Sequence, residues 1–236
     1  MKNKVIWLII ICLISTTLLQ ASCTQVATEA EEPAPPGVPG EVRLPEPRKD
    51  SDVSIEEALL NRRSVRTYTG EALTLQEVSQ LLWAAQGITN IKGFRTAPSA
   101  AATYTLETYL IVGDVEDLSA GVYRYKPAGH KLVQVLDGDY RSQLTMESIG
   151  QYFVEGGAIY ILFTGVYSRI TRLAGDEGKK YVHMEAGHAA QNVYLQVISL
   201  GLGTVVNGGI NGDRIREILK LPLSETPLYF MPVGRM

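Results

Sequence analysis

Three guanidinium groups and a hydroxyl fall within five positions, Arg62-Arg63-Ser64-Val65-Arg66, where a short helix over 55–61 runs out into extended chain. Guanidinium matches phosphate oxygens two at a time, so a fork of this kind around a serine suits a phosphate. The competing explanation is plain: the C-terminus of a helix attracts cations by itself. Farther along, Glu185 and His188 stand three residues apart on a long helix, a spacing that makes a carboxylate–imidazole pair easy. Glu-x-x-His also occurs among the ligands of di-iron bundles. Here, however, the chain holds only His130, His183 and His188, and no second Glu-x-x-His accompanies the first. The expectation is therefore a buried Glu185–His188 pair that fixes helix contacts, with no metal. Gly201-Leu202-Gly203-Thr204 and Asn207-Gly208-Gly209 are dense in glycine. They read either as helix-cap and turn chemistry or as bare backbone that offers N–H groups to a flat ligand.

The elements that must carry these residues can be read from the surrounding pattern. Ser54 caps the first short helix. Thr74-Leu75-Gln76-Glu77 is a capping box, followed by an apolar stripe of Leu75, Val78, Leu81, Leu82 and Ala85 that ends at Gly87. A small-residue turn over 97–102 precedes a strand over 108–112. Segments 121–126 and 131–136 read as hairpin partners through Pro127-Ala128-Gly129. A helix is expected over 139–147. The nearly continuous apolar run at 158–163 reads as a strand buried on both faces. The longest helix, 181–200, is apolar nearly all round, so it belongs at the domain centre or in a subunit interface. A strand over 204–206, a helix over 213–219 stopped before Pro222, and a strand over 228–233 complete the chain. Strands and helices interleave without regular βαβ spacing, which favours a layered α+β fold.

Composition bounds the rest. The chain has 236 residues and a net charge of −3, with both signs interspersed, which argues against nucleic acid as a partner. Lys2 and Lys4 precede an apolar run shorter than the roughly twenty residues a membrane span needs. Residues 1–23 therefore read as an export signal. The run ends at Leu19-Gln20-Ala21-Ser22-Cys23, similar to a lipoprotein cleavage site but with Gln20 where leucine is usual; an ordinary signal or uncleaved anchor is the alternative. The expectation is an exported protein of the cell envelope, with Cys23 a candidate lipid anchor. Residues 24–49, rich in Pro, Glu and Ala, read as a tether, leaving 50–236 as one domain. Both cysteines, Cys12 and Cys23, precede that domain, so it has no disulfide, thiolate metal site or cysteine nucleophile.

Taken in order, several of these words resemble the flavin-dependent nitroreductase superfamily: Arg-Arg-Ser-x-Arg, Pro98-Ser99-Ala100-Ala101, Glu185-Ala186-Gly187-His188-Ala189-Ala190-Gln191-Asn192, Gly-Leu-Gly-Thr, and Pro232-Val233-Gly234-Arg235. Within it they are most similar to the azoline-oxidising branch of thiazole and oxazole peptide biosynthesis. The resemblance spans the domain from about residue 55 onward; no single motif is specific, but the ordered set is. It implies an α+β sandwich with a central, mostly antiparallel sheet flanked by helices, working as a homodimer with FMN at the subunit interface. It implies Arg62, Arg63 and Ser64 near the FMN phosphate and ribityl chain, with Arg66 helping and Arg235 approaching the phosphate. Pro98 and Ser99 would border the isoalloxazine, and Gly208 and Gly209 would turn backbone N–H toward its N5. Lys180 and Tyr181 match a pair implicated in proton abstraction in that branch; the competing reading is a lysine-rich helix approach with an exposed tyrosine.

The resulting expectation is an FMN-dependent oxidoreductase that moves hydride between NAD(P)H and a small organic substrate, a nitro compound, quinone or similar. No Gly-x-Gly-x-x-Gly fingerprint is present, but in the superfamily the nicotinamide stacks on the flavin. Two rivals stand beside it: a dehydrogenase or oxidase of a peptide-derived or heterocyclic substrate, and a flavin-binding lipoprotein without turnover.

Overall fold

The computed structural model describes residues 40–149 and 156–236. Among them, seven strands form a sheet: β1 (Glu41–Arg43), β2 (Leu106–Val112), β3 (Gly121–Lys126), β4 (Lys131–Asp137), β5 (Ile159–Gly165), β6 (Leu202–Thr204) and β7 (Thr226–Arg235). Their order is β1-β4-β3-β2-β5-β7-β6, and every pairing between them is antiparallel. The helices are α1 (Ile55–Asn61), α2 (Leu75–Gln86), α3 (Arg141–Met146), α4 (Ser168–Ala174), α5 (Gly178–Ser199) and α6 (Gly212–Ile218).

The apolar run near position 160 explains the layering. Successive side chains of a strand point to opposite faces, and β5 is buried at every position, so both of its faces must be covered. Ile159, Ile161 and Phe163 enter one apolar cluster, while Tyr160 and Leu162 enter the other. In β2 the same alternation sends Leu110 and Val112 one way, Tyr109 and Ile111 the other. The first face is closed by Val78, Leu81, Leu82 and Ala85 of α2 with Val182, Ala186, Ala189 and Val193 of α5. Leu144 of α3 and Ile215 of α6 help close the second. Truncating a fully buried leucine such as Leu81 to Ala would cost about 2–5 kcal/mol. The expected α+β layering around an antiparallel sheet is thus present.

Several boundaries differ from expectation. The tether read as 24–49 ends too late. β1 pairs with β4 through Val42↔Leu132, and Leu44 is only 3% exposed, so the sheet recruits chain ahead of residue 50. The Pro- and Glu-rich composition hid a short strand whose partner lies ninety residues away. The strand expected over 204–206 sits at Leu202–Thr204, where β7 offers partners, and α4 was not expected. The helix expected over 139–147 is shorter, because Asp139 instead binds the Arg141 side chain and backbone N–H. The leader, Cys23 and most of the tether lie outside the described residues. Among those described, no helix is long and apolar enough to cross a membrane.

The long helix resolves into two faces. Val182, Glu185, Ala186, Ala189, Ala190, Val193 and Val197 are buried, whereas Met184, Gly187, His188 and Gln191 are exposed. Within a single chain it is therefore not enclosed all round.

Candidate functional site

The arginine segment is fixed by the edge of the sheet. Val65 N–H donates to Thr204 O of β6 at 2.9 Å. The Val65 side chain lies so close to Gly203 that a Cβ there would come within 2.6 Å of Cγ1. The glycine is thus a close-approach position that seats the segment on β6. Tyr68 reinforces the seat, donating from its hydroxyl to Val65 O at 2.8 Å, and burial pushes that phenol well above its ordinary pKa.

Four polar groups project from this seat. The Arg62 guanidinium lies 5.1 Å from the centroid of the Tyr194 ring, and Ser64 Oγ is 3.3 Å from the Tyr194 hydroxyl. Arg63 donates to Leu60 O and Arg62 O at the end of α1, so it answers the helix-end explanation of the cluster. Arg66 donates to Ser64 O at 3.3 Å. Among the described residues, neither Arg62 nor Arg63 forms an ion pair.

Arg235 differs. Its Nη atoms reach both oxygens of Glu77 at 3.1 Å, its Nε donates to Ala72 O at 3.2 Å, and Glu71 lies 3.8 Å away. Glu77 is the N3 residue of the α2 capping box, accepting from Thr74 N–H at 2.8 Å. The arginine expected to approach a phosphate is here the bidentate partner of a helix cap.

β6 leads directly to Asn207-Gly208-Gly209. Asn207 is fully buried, exchanges backbone hydrogen bonds with Phe230 and donates from Nδ2 to Ser148 Oγ at 2.7 Å. Its Oδ1 has no hydrogen-bond partner. Gly208 faces open space, since an added Cβ would meet nothing within 4 Å. Tyr194 ties this stretch to the arginines, because its hydroxyl also accepts from Val206 N–H at 2.9 Å. Two arginines, Arg62 and Arg63, without an ion pair among the described residues, a hydroxyl and open backbone at Gly208 are what a phosphate-bearing planar cofactor needs, so these residues fit FMN.

A second group sits toward the other end of α5. Pro98, Ser99, Ala100, Tyr181, Met184, Glu185 and His188 line a cleft of ≈ 270 Å³. The expected Glu185–His188 pair is not formed. Glu185 turns inward, where its Oε2 accepts from Ser99 Oγ at 2.7 Å, Thr105 Oγ1 at 2.8 Å and Thr105 N–H at 3.2 Å, while His188 is exposed. Three residues of helix leave two side chains about 60° apart around the axis, enough to put one in the core and the other outside. Lys180 is exposed and bound to Glu177, with its ammonium 5.5 Å from the Tyr181 ring centroid. Of that pair only Tyr181 reaches the cleft.

The fold therefore seats Arg62, Arg63, Ser64 and Arg66 beside β6, ties them through Tyr194 to the chain entering Gly208 and Gly209, and brings Pro98, Ser99 and Tyr181 to the cleft. It separates Arg235 into the α2 cap and turns Lys180 outward. Tyr194, Thr105 and Glu77 are partners that sequence reasoning missed. Only Glu77 carried a local signal, as the last residue of a capping box; the other two act through contacts distant in sequence.

The sequence pattern of the Nitroreductase family matches residues 59–235. A protein of Methanocaldococcus jannaschii named as a nitroreductase is 47% identical over 195 residues, 83% of this chain and 96% of that one. A Bacillus subtilis protein named FMN reductase (NADPH) is 25% identical over 192 residues, 75% of this chain and 64% of its own length. The crystal structure of a Ralstonia eutropha JMP134 protein named as a nitroreductase superposes with a TM-score of 0.75 at 31% identity, covering 83% of this chain and 89% of that one. The matched pattern runs from α1 through the last strand and takes in both groups of site residues: this chain belongs to the Nitroreductase family and is an oxidoreductase.

Proposed function

We propose that the protein is an FMN-dependent oxidoreductase that passes hydride from NADPH or NADH to a small organic substrate, such as a nitro compound or a quinone. One observation carries the reading: Tyr194 ties the Arg62–Ser64 fork and the chain entering Gly208-Gly209 to one edge of the sheet. The B. subtilis relative named FMN reductase (NADPH) supports the choice of cofactor and donor.

FMN, when bound, supplies a centre that accepts hydride from one partner and gives it to the next. The chain's part is binding, orientation and proton supply. Arg62 and Ser64 hold the phosphate end, with Arg63 and Arg66 adding positive potential. The backbone at Gly208 leaves room for a flat ring, and the N–H groups of Gly208 and Gly209 are the ones that would face it. Tyr181 borders the substrate cleft with an O–H available for proton transfer.

The same reading makes the protein a homodimer. Glu185 and Tyr194 are nine residues apart on α5, about 13 Å of helix, so the two groups of site residues lie at separate stations along one helix. The exposed face of α5, with Met184, His188 and Gln191, is where a second copy would pack and bring one chain's cleft to the other's arginines.

The absorbance spectrum of purified protein, followed anaerobically on addition of NADPH and then NADH, tests the proposal. A yellow protein whose flavin band bleaches with nicotinamide and recovers with a nitro compound or quinone is expected. A colourless protein that takes up no added FMN removes the proposal; a yellow protein that nothing reduces leaves only flavin binding. Because Tyr181 reaches the cleft, a second reading is kept: oxidation of a heterocyclic or peptide-derived substrate. Bleaching by such substrates without any nicotinamide would select it.

A further inference from the structure

Three residues other than glycine adopt left-handed backbone within four positions: Ala101 (φ 49°), Ala102 (φ 51°) and Tyr104 (φ 46°). Side chains of L-residues disfavour this region, and such a run persists only where its surroundings over-determine it. The restraints are visible. Ala102 N–H donates to Ser99 O and Thr103 N–H to Ala100 O, both at 3.1 Å. Tyr104 N–H donates to Ser99 Oγ at 2.8 Å, and its carbonyl accepts from Arg169 at 2.6 Å. The Arg95 guanidinium lies 4.2 Å from the centroid of the Tyr104 ring.

Two of these restraints run through Ser99, which is bound to one carboxylate. Ser99 Oγ accepts from Tyr104 N–H and donates its own O–H to Glu185 Oε2 at 2.7 Å, and Thr105 donates to the same oxygen through both N–H and hydroxyl. Glu185 is 2% exposed and, among the described residues, forms no ion pair. Its other oxygen, Oε1, has no hydrogen-bond partner. A buried carboxylate that spends three donors on one oxygen and none on the other is poorly arranged for stability alone. It is well arranged to fix the hydroxyl that shapes the turn beside the cleft.

We infer that Glu185 is a positioning residue: through Ser99 and Thr105 it holds the strained 98–105 turn in the one conformation that presents Pro98 and Ser99 to the flavin and the substrate cleft. The inference rests on the FMN reading above and adds to it a residue that borders the cleft but acts on the site through Ser99 and Thr105. The role calls for an acceptor at the Oε2 position rather than for a charge, so glutamine should keep it and alanine should not.

Glu185→Ala and Glu185→Gln are compared with wild type by two measurements. The first, on flavin-free protein, is hydrogen exchange of the peptide covering 99–105. Glu185→Ala is expected to exchange on the order of tenfold faster at Tyr104 and Thr105, and Glu185→Gln close to wild type. The second, on FMN-loaded protein, is the visible circular dichroism of the bound flavin with steady-state kinetics. Glu185→Ala is expected to change the flavin signal and to lower kcat about tenfold or more, with KM for NADPH within about twofold, and Glu185→Gln to restore both. Should Glu185→Ala fail to fold, Ser99→Ala removes the relay at a partly exposed position and is expected to give the same two changes.

Unchanged exchange in Glu185→Ala, or faster exchange with an unaltered flavin signal and kcat, overturns the inference while leaving FMN dependence standing. A glutamine variant as impaired as alanine overturns it too, because charge would then matter rather than the acceptor. Wild type that binds no FMN fells the functional proposal and this inference with it, an outcome distinct from the others because it precedes any substitution.

Discussion

Glu225 and Glu185 are both 2% exposed, yet their surroundings are opposite. Glu225 has every need met: Oε2 accepts from the Tyr109 hydroxyl and Thr164 Oγ1, each at 2.9 Å, and Oε1 pairs with Arg124 at 3.1 Å. Arg124 also reaches Glu107 at 2.9 Å, and Arg169 binds the other Glu107 oxygen. Burial pushes Glu107 up, but hydrogen bonds from Arg169 and Arg124 outweigh it and hold this carboxyl below the ordinary range. Burial, with Glu225 beside it, pushes the Tyr109 phenol well above its ordinary pKa. The cluster ties β2, β3 and β5 to the chain entering β7. Glu185 has no cation within ion-pair distance among the described residues, with Arg95 acting on it only through space, leaves one oxygen unpartnered and holds a strained turn next to a cleft. The contrast teaches that burial alone does not identify a functional carboxylate. What separates the two is whether the partners neutralise the charge or restrain a conformation.

The sharpest way to break the comparison is to remove the structural member. Glu225→Ala leaves the Tyr109 and Thr164 hydroxyls buried without their acceptor and Arg124 with Glu107 alone, which should cost about 2–4 kcal/mol of stability by urea denaturation. FMN affinity per folded molecule should not move. If this variant alters the flavin signal as Glu185→Ala does, the two carboxylates are not different in kind.

A smaller effect sharpens the contrast among the arginines. Arg62, without an ion pair, should contribute a charge-assisted bond to the phosphate, so Arg62→Ala is expected to weaken FMN binding roughly tenfold to a hundredfold in a fluorescence titration. Arg235 is engaged by Glu77, and Arg235→Ala should change FMN affinity less than about threefold. Equal losses would mean that Arg235 leaves the α2 cap when FMN binds.

The smallest expected effect lies in a half-buried group, His130, which separates structural titration from the site. Ser79 donates to Pro45 O, so it must accept from His130 Nε2–H, at 2.7 Å, while His130 Nδ1 accepts from Tyr125 at 2.8 Å. Burial lowers the pKa of His130, outweighing Glu46 and the hydrogen bond to Pro45, which raise it. A histidine depressed in the folded state binds its proton more readily when unfolded. Its stabilising contribution is therefore complete above about pH 6.5 and lost as pH falls through the folded value. Below pH 6.5 the Tm of wild type should drop by less than about 4 °C relative to His130→Gln, with bound FMN unchanged. A parallel decline in both proteins would remove His130 as the cause.

How much of this was legible depends on where the information lay. The nearly continuous apolar runs at β2 and β5, the Thr74–Glu77 capping box and the stripe that follows it are local patterns, and the structure contains all of them. The arginine fork was visible because its residues are adjacent. β1 was hidden because its only support is the distant edge of β4. Glu185 was conspicuous, but the partner assigned to it was the neighbour in sequence rather than Ser99 and Thr105, some eighty residues earlier. Arg235 was read as a phosphate ligand because its place near the C-terminus said nothing about Glu77.

By itself, then, the sequence determined the layered α+β class, the helix starts and the inventory of cations, hydroxyls and bare glycines. Each of these follows from side-chain periodicity, capping chemistry or composition, which act over a few residues. Only the tertiary structure decided which arginines stay unpaired, which carboxylate is neutralised and which holds a strained turn. Those outcomes depend on hydrogen bonds between residues tens to more than a hundred positions apart, and whether a buried charge meets a cation or a hydroxyl is settled only when the sheet and α5 close around it.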